Sequence, residues 1–182
     1  MSVDERMVHD IVQKVMANMQ ISGSVSGMHG VFKDMNDAIN ASIEAQKKVC
    51  TMTLDQREQI ISLIRKKTHE NAEILANMGV NETGMGNVGD KILKHHLTAD
   101  KVPGTEDIST IAWSGDRGLT LVEMGPFGVI GAITPATNPS ETVICNCIGM
   151  LAGGNTVVFN PHPNAKKTTI YTINMINEAS IE

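Results

Sequence analysis

Two short segments carry the side chains of this sequence that are best suited to binding a ligand. Thr134–Asn138 follows the apolar run GVIGAI, and Asn160–Pro163 follows the β-branched run TVVF. If the two runs are consecutive parallel strands, their carboxyl ends lie side by side, where open α/β sheets bind ligands. Asn138, or the neighbouring hydroxyl of Thr137, could donate to an oxygen that gains negative charge in a reaction. Asn and Pro are equally good turn formers, so composition leaves both interpretations open.

The cysteines and histidines are further candidates for chemistry, but their context favours structural roles. Cys145 and Cys147 lie in an apolar helical stretch without an adjacent His or Lys that would favour a thiolate, and Cys50 directly precedes a helix. We therefore expect inert core cysteines. His95 and His96 are adjacent, so on a helix their rings point about 100° apart and cannot easily share a metal. We expect both histidines to be solvated, and the sequence predicts no metal site.

Composition and motif searches exclude several classes of protein. The net charge of −5 provides no basic patch for a nucleic acid, and no apolar run approaches the roughly 18 residues of a membrane span. Three cysteines without a CxxC pair indicate a reducing, cytoplasmic compartment. The sequence contains no GxGxxG, P-loop, HExxH or GxSxG motif. The glycine-rich Gly84–Gly89 follows a helix instead of a strand, which argues against a phosphate cradle.

The spacing of apolar residues predicts the elements that must position these segments. Helices are predicted over Val31–Val49, Leu54 to about Met78, Asn87–His96, Ser140–Leu151 and Ala165–Ile181. Strands are predicted over Leu119–Glu123, Gly128–Ile133 and Thr156–Phe159. From residue 128 onwards, strands and helices alternate as a βαβα unit, which predicts an α/β fold. Because two parallel strands alone leave sheet edges uncovered, we expect the chain to be part of a larger domain.

The first 30 residues predict a detached helix and a linker. In residues 1–20, Ser2 and Glu5 have the spacing of a capping box. An apolar stripe follows, formed by Val8, Ile11, Val12, Val15, Met16 and Met19. Residues 21–30 are rich in Gly and Ser, as in flexible linkers. The helix either packs on its own domain or a sister subunit, or it is a tethered docking peptide for another protein.

Beyond these patterns, the sequence resembles a known family. GPFGVIGAITPATNPSE and GMLAGGNTVVFNPHPNAK resemble the first cofactor-binding half of the aldehyde dehydrogenase superfamily. They are closest to its coenzyme A-acylating branch, the propionaldehyde and acetaldehyde dehydrogenases of bacterial microcompartments. ETGMG at residues 82–86 is similar to the family's ETG segment, and the resemblance covers residues 31–182. The hydrolytic branch usually carries a ribose-binding lysine where Asn160 stands, so NPHP favours the acylating branch.

The resemblance implies a fold, a reaction and roles for residues. Residues 31–182 would be the N-terminal part of an incomplete Rossmann-like NAD-binding domain, without the catalytic domain. The full-length protein would be a homo-oligomer that oxidises a short aldehyde with NAD and coenzyme A. The nucleophilic cysteine would lie in that later domain, so we expect the fragment alone to be inactive. Asn138 or Thr137 would steady the oxyanion. The cofactor would contact Thr134, Pro135, Ala136, Thr137, Asn160, His162 and Pro163.

The resemblance also bears on the N-terminal helix and leaves alternatives. Microcompartment enzymes often carry an amphipathic peptide and a linker ahead of the enzyme body, which is the layout of residues 1–30. Residues 1–20 would then dock on a shell protein and place the enzyme inside a bacterial microcompartment in the cytoplasm. Two other functions stay open at this point: another semialdehyde dehydrogenase of the same superfamily, and a non-catalytic cargo or assembly module.

Overall fold

The fold combines five helices and four strands in the part of the chain that is described. A computed structural model describes residues 28–181, so the predicted helix over residues 1–20 and most of the predicted linker lie outside the described residues. The elements are α1 (Met35–Val49), α2 (Leu54–Thr83), α3 (Val88–Lys101), β1 (Ile111–Gly115), β2 (Gly118–Val122), β3 (Val129–Ile133), α4 (Pro139–Ala152), β4 (Thr156–Asn160) and α5 (Lys166–Ile181). Short 3₁₀ turns cover Thr105–Asp107 and Pro163–Ala165. Within residues 28–181, no helix is both long and apolar enough to cross a membrane.

The predicted parallel pair of strands is confirmed. β3 and β4 pair in parallel register from Val129 opposite Thr156 to Ile133 opposite Asn160, and α4 connects them. α5 follows β4, which completes the βαβα order of an α/β fold. Asn160, predicted as the first residue of a turn, is the last residue of β4. This places the two ligand-binding candidates at the same edge of the sheet.

A second, antiparallel pair of strands was only half predicted. β2 agrees with the predicted strand within one residue, whereas β1 was missed. The two strands form a hairpin from Ile111 opposite Val122 to Gly115 opposite Gly118. All ten of their residues are exposed in this chain, including the large apolar Ile111 and Trp113, which alternate along β1.

The core lies around α2, which packs against α3, α4 and α5. The sequence predicts apolar faces of Ile60, Ile61, Ile64, Ala72 and Leu75 on α2 and of Val143, Ile144, Cys147, Ile148 and Leu151 on α4, and both faces are confirmed. Their fully buried side chains are Ile61, Ile64 and Leu75 on α2 and Val143, Ile144 and Ile148 on α4. Complete burial of each such side chain stabilises a fold by roughly 1.5–3 kcal/mol. α4, and the loop that leads into it, are therefore held firmly against α2.

Helix ends follow their capping residues. The sequence spacing of Thr53 and Gln56 predicts a capping box at the start of α2, and the structure has it: the Gln56 backbone N–H donates to Thr53 Oγ1 over 3.2 Å, and the Thr53 N–H donates to Gln56 Oε1 over 2.9 Å. α2 ends later than predicted, at Thr83, and the following Gly84 has a φ of 68°, which suits a residue without Cβ. Gly79 lies inside α2 and packs near Thr168 of α5. Gly84 caps α2, and Asn87 caps α3 at the other end of the glycine-rich segment, which is a helix-to-helix link.

α1 contacts the sheet through polar side chains. Ser42 is its buried residue, and Ser42 Oγ donates to Thr156 Oγ1 over 3.0 Å. Gln46 accepts from the Thr156 N–H over 2.7 Å and donates to the Gly154 carbonyl over 2.8 Å, as a neighbouring strand would. The sequence places Met35, Ala38, Ile39, Ser42, Ile43 and Ala45 on one helical period. Ser42 is the buried member of this set, whereas the large apolar members Met35, Ile39 and Ile43 are exposed.

Candidate functional site

The two candidate segments meet at one point, as predicted. Ile133 and Asn160 form the last pair of the parallel sheet, and the Thr134 N–H donates to the Asn160 carbonyl over 3.1 Å. The segments Thr134–Asn138 and Asn160–Pro163 therefore leave the same sheet edge side by side. Such an edge, at the carboxyl ends of parallel strands, is the usual ligand-binding place in open α/β sheets.

The predicted site residues differ in exposure. Thr134 and Ala136 are buried, and the Thr134 hydroxyl has no hydrogen-bond partner within the described residues. Asn138 is half-buried. The exposed members of the predicted set are Pro135, Thr137, Asn160, His162 and Pro163. His162 Nδ1 accepts from the Asn164 N–H over 3.1 Å, which stabilises the turn after β4. The edge thus presents exposed polar side chains beside a buried hydroxyl whose hydrogen-bonding capacity is unused.

Two lysines from α3 contact the first loop, and sequence reasoning missed both. Lys91 is 8% exposed, and its Nζ donates to the Thr137 carbonyl over 2.7 Å, Glu141 Oε1 over 3.0 Å and Asn138 Oδ1 over 3.3 Å. Lys94 Nζ donates to the same Asn138 Oδ1 over 2.5 Å. Because both ammonium groups bind the amide oxygen, the Asn138 Nδ2 hydrogens stay available as donors. The structure therefore suits Asn138 to stabilising a negative oxygen.

His95 lies inside the fold, so the prediction of a solvated side chain was wrong. The ring is fully buried between α3 and the start of α4. His95 Nδ1 lies 2.7 Å from the Lys91 carbonyl, and Nε2 lies 2.7 Å from Ser140 Oγ. Because a carbonyl only accepts, Nδ1 carries a hydrogen, and in the neutral ring Nε2 then accepts from the Ser140 hydroxyl, whose oxygen also lies 3.2 Å from Glu141 Oε2. Burial lowers the pKa of His95 against the opposing effect of the Glu141 carboxylate, which favours this neutral tautomer.

The neighbouring His96 lies on a different side of α3. Its ring is partly exposed and stacks on His69, with 2.7 Å between the two Nδ1 atoms. His69 Nε2 in turn lies 2.8 Å from Asp100 Oδ1. Adjacent helical residues point about 100° apart, so His95 faces the core and His96 faces the surface. The prediction erred because it placed both rings in solvent. In the described part of the chain, no group of three His, Cys, Asp or Glu residues forms a possible metal site.

The three cysteines also differ in exposure. Burial raises the pKa of Cys147 to about 12, so this thiol stays protonated near neutral pH, as expected for an inert core cysteine. Cys145 is exposed on the other side of α4, so its predicted core position was wrong. Cys50 is exposed at the end of α1, where its sulfur accepts from Gln46 Nε2. The residues around the sheet edge that carry hydrogen-bonding capacity are thus Asn, Thr and Lys, not Cys.

One amide side chain and one carboxylate, those of Asn155 and Glu82, hold the segments next to this edge in place. Asn155 Oδ1 accepts from the N–H groups of Phe127 and Gly128, immediately before β3. The Glu82 carboxylate accepts from the Lys167 N–H, the Thr168 N–H and Thr168 Oγ1, each over 2.7 Å. Glu82 belongs to the ETG segment at the end of α2, and it caps the first turn of α5 from a distance. These bonds set where the turn after β4 can lie.

The comparisons with known proteins agree with this architecture. The model of the aldehyde dehydrogenase family matches residues 15–182. The chain belongs to the aldehyde dehydrogenase family. Over 98% of its length it is 46% identical to the acetylating acetaldehyde dehydrogenase of Bilophila wadsworthia. The relatives therefore confirm the predicted family as well as its acylating branch.

Solved structures of aldehyde dehydrogenases match the fold closely. A propionaldehyde dehydrogenase from the Clostridium phytofermentans fucose utilisation bacterial microcompartment is 74% identical and superposes with a TM-score of 0.82 over 84% of this chain. The Rhodopseudomonas palustris propionaldehyde dehydrogenase with bound CoA and an acylated cysteine is 47% identical, with a TM-score of 0.81 over 84% of the chain. The chain covers 35% of each of these structures and 38% of the Bilophila relative. It thus spans about a third of the proteins that it matches.

Proposed function

We propose that the full-length protein is a coenzyme A-acylating aldehyde dehydrogenase that uses NAD⁺ and a short aldehyde, propionaldehyde or acetaldehyde. Residues 31–182 then form the N-terminal part of its Rossmann-like NAD-binding domain. The observation that carries this proposal is the shared sheet edge where the Thr134 N–H donates to the Asn160 carbonyl. The names of the matched relatives supply the acylating activity.

The residues at this edge fit a nicotinamide cofactor. A buried hydroxyl without a partner, that of Thr134, lies beside exposed polar groups of Asn160 and His162. We assign the contacts with NAD⁺ to the seven predicted residues, Thr134, Pro135, Ala136, Thr137, Asn160, His162 and Pro163. When bound, NAD⁺ supplies the acceptor for the hydride of the aldehyde carbon. Because Asn160 lacks the cation of a lysine, it contacts a ribose as a neutral hydrogen-bonding partner.

The proposed reaction gives Asn138 the role of an oxyanion donor. A cysteine outside residues 1–182 adds to the aldehyde carbon, and the carbonyl oxygen gains negative charge. Asn138 Nδ2 would stabilise this oxygen, and the two lysines on Oδ1 support this choice. Thr137, whose side chain is exposed, is the alternative donor. Overall, aldehyde, NAD⁺ and the thiol of coenzyme A give acyl-CoA, NADH and one proton, so atoms and electrons balance.

The N-terminal residues carry a separate part of the proposal. Residues 1–20 would dock through their apolar stripe on a microcompartment shell protein, and residues 21–30 would tether the enzyme body. The layout of the sequence and the microcompartment origin of the Clostridium phytofermentans relative support this assignment. The full-length enzyme would then be a homo-oligomer held inside a bacterial microcompartment of the cytoplasm.

NADH formation by the purified full-length protein tests the proposed activity. Propionaldehyde, acetaldehyde and longer semialdehydes are offered with NAD⁺ or NADP⁺, with and without coenzyme A. We expect steady turnover of the short aldehydes that stops when coenzyme A is omitted. Steady turnover without coenzyme A would refute the acylating assignment. A preference for a semialdehyde would refute the substrate, and absence of turnover with any aldehyde would favour a non-catalytic cargo module.

A further inference from the structure

We propose that Lys94 and Lys91 are positioning residues that fix the amide of Asn138 with its Nδ2 hydrogens turned towards the reacting oxygen. The inference rests on the proposed function, because it concerns the oxyanion donor of that reaction. It assigns a role to two side chains of α3 that lie 44 and 47 residues from Asn138 in sequence.

Asn138 lacks the hydrogen bond that its position at the start of α4 favours. Asn138 is the N-cap residue of α4, a position where an Asn side-chain oxygen usually accepts from the second or third N–H of the helix. Asn138 makes no such capping bond. Its Oδ1 instead accepts from Lys94 Nζ over 2.5 Å and from Lys91 Nζ over 3.3 Å. The Asn138 side chain therefore does not cap α4, and the two lysines of α3 orient it instead.

The chemistry of the two lysines determines which atom of the Asn138 amide they bind. An ammonium group has three donors and no acceptor, so it binds the oxygen of a carboxamide and never its nitrogen. Lys91 and Lys94 are three residues apart, which places both on one side of α3, facing the same oxygen. Two positive charges on Oδ1 fix which way the amide faces. They also polarise it, so that Nδ2 becomes a stronger donor.

Lys91 and Lys94 differ in burial and in their other contacts. Lys91 is buried and compensated by Glu141, and it also binds the Thr137 carbonyl, so it holds the loop itself. Lys94 is exposed, and Asn138 Oδ1 is its described side-chain partner. Loss of Lys91 would leave the Glu141 carboxylate buried without its cation, which endangers folding. Loss of Lys94 removes a contact at the surface and leaves the core intact.

Lys94→Met in the full-length enzyme is therefore the first test, since it removes the charge and keeps the length of the side chain. With saturating NAD⁺ and coenzyme A, we expect kcat for propionaldehyde to fall about tenfold, because an amide free to rotate presents its donor less often. The KM and the thermal midpoint should stay unchanged. Lys94→Arg should restore most of the rate. Lys101→Met, on the exposed last turn of α3, is the matched control and should behave like the unmodified enzyme.

A double-mutant cycle separates positioning from any independent effect of the charge. Asn138→Ala alone should lower kcat by about 100-fold, the usual effect of removing one oxyanion donor. Adding Lys94→Met to Asn138→Ala should change kcat by less than about twofold, because the group that Lys94 positions is gone. Independent losses that multiply, full activity of Lys94→Met, or full activity of Asn138→Ala would each overturn the inference. If the unmodified enzyme shows coenzyme A-dependent turnover in the same assay, such a result leaves the proposed function intact.

Discussion

Glu82 caps the first turn of α5, and its removal should loosen this helix. The carboxylate of this residue, at the end of α2, accepts three hydrogen bonds of 2.7 Å, from Lys167 N, Thr168 N and Thr168 Oγ1. α5 begins directly after the turn that follows Asn160. The bonds therefore join α2 to the helix that leads away from the proposed site. Glu82→Ala removes all three acceptor contacts at once.

The structure sets the size of the effect. A hydrogen bond to a charged group contributes about 1.5–3 kcal/mol, and loss of a helix cap costs about 0.5–2 kcal/mol. Because Glu82 is partly exposed, water replaces some of the lost bonds, so about 1 kcal/mol for each bond is reasonable. Glu82→Ala should then destabilise the first turn of α5 by about 3 kcal/mol. Glu82→Gln keeps one oxygen acceptor and should lose about half as much.

Amide hydrogen exchange in the full-length protein measures this local effect. A loss of about 3 kcal/mol accelerates exchange through local opening by roughly 100-fold, and we expect it at Lys167 and Thr168. Glu73→Gln, on an exposed side of α2, is the matched control and should leave exchange at α5 unchanged. Unchanged exchange in Glu82→Ala, or equal acceleration in Glu73→Gln, would refute the view that Glu82 caps α5.

Three further predictions concern His95, the isolated chain and the N-terminal helix. Because burial lowers the pKa of His95, the unfolded state takes up the proton first, so stability falls as pH drops below about 6.5. In the His95→Gln variant, the thermal midpoint should change less between about pH 7 and 5 than in the unmodified protein. The same pH dependence in both proteins would contradict this. Purified residues 1–182 should not oxidise aldehydes. Aldehyde oxidation by this fragment that disappears in its Cys145→Ala variant would overturn that expectation. Val12→Glu with Val15→Glu should release the enzyme from shells at unchanged specific activity, and loss of activity instead would assign the helix to the enzyme body.

The fold could be predicted where local patterns and burial agree. β3, α4 and β4 were recognisable because continuous apolar runs, a Pro-containing turn and a helical period follow one another in a short stretch. β1 was missed although Ile111 and Trp113 alternate along it, and all five of its residues are exposed. α1 shows the remaining limit. Its period is helical, but the side that contacts β4 is chosen by hydrogen bonds of Ser42 and Gln46 to residues more than 100 positions away.

The site could be predicted in part, for a similar reason. The strand-end rule located both segments, and the structure joins them at Thr134 and Asn160. The lysines of α3 escaped prediction because nothing local relates them to a loop more than 40 residues later. His95 was misplaced because a polar residue on a surface-like helix is usually solvated. Ser140 and the Lys91 carbonyl satisfy both ring nitrogens, which makes burial of His95 favourable.

The fate of the acyl group tests the central claim most directly. The full-length enzyme is given propionaldehyde, NAD⁺ and coenzyme A, and NADH, propionyl-CoA and free propionate are measured in the same reaction. The account predicts one propionyl-CoA for each NADH and no propionate above the uncatalysed background, because the thiol of coenzyme A removes the acyl group from the cysteine. Free propionate formed in equal amount to NADH would mean that water takes this place, and it would contradict the assignment to the acylating branch.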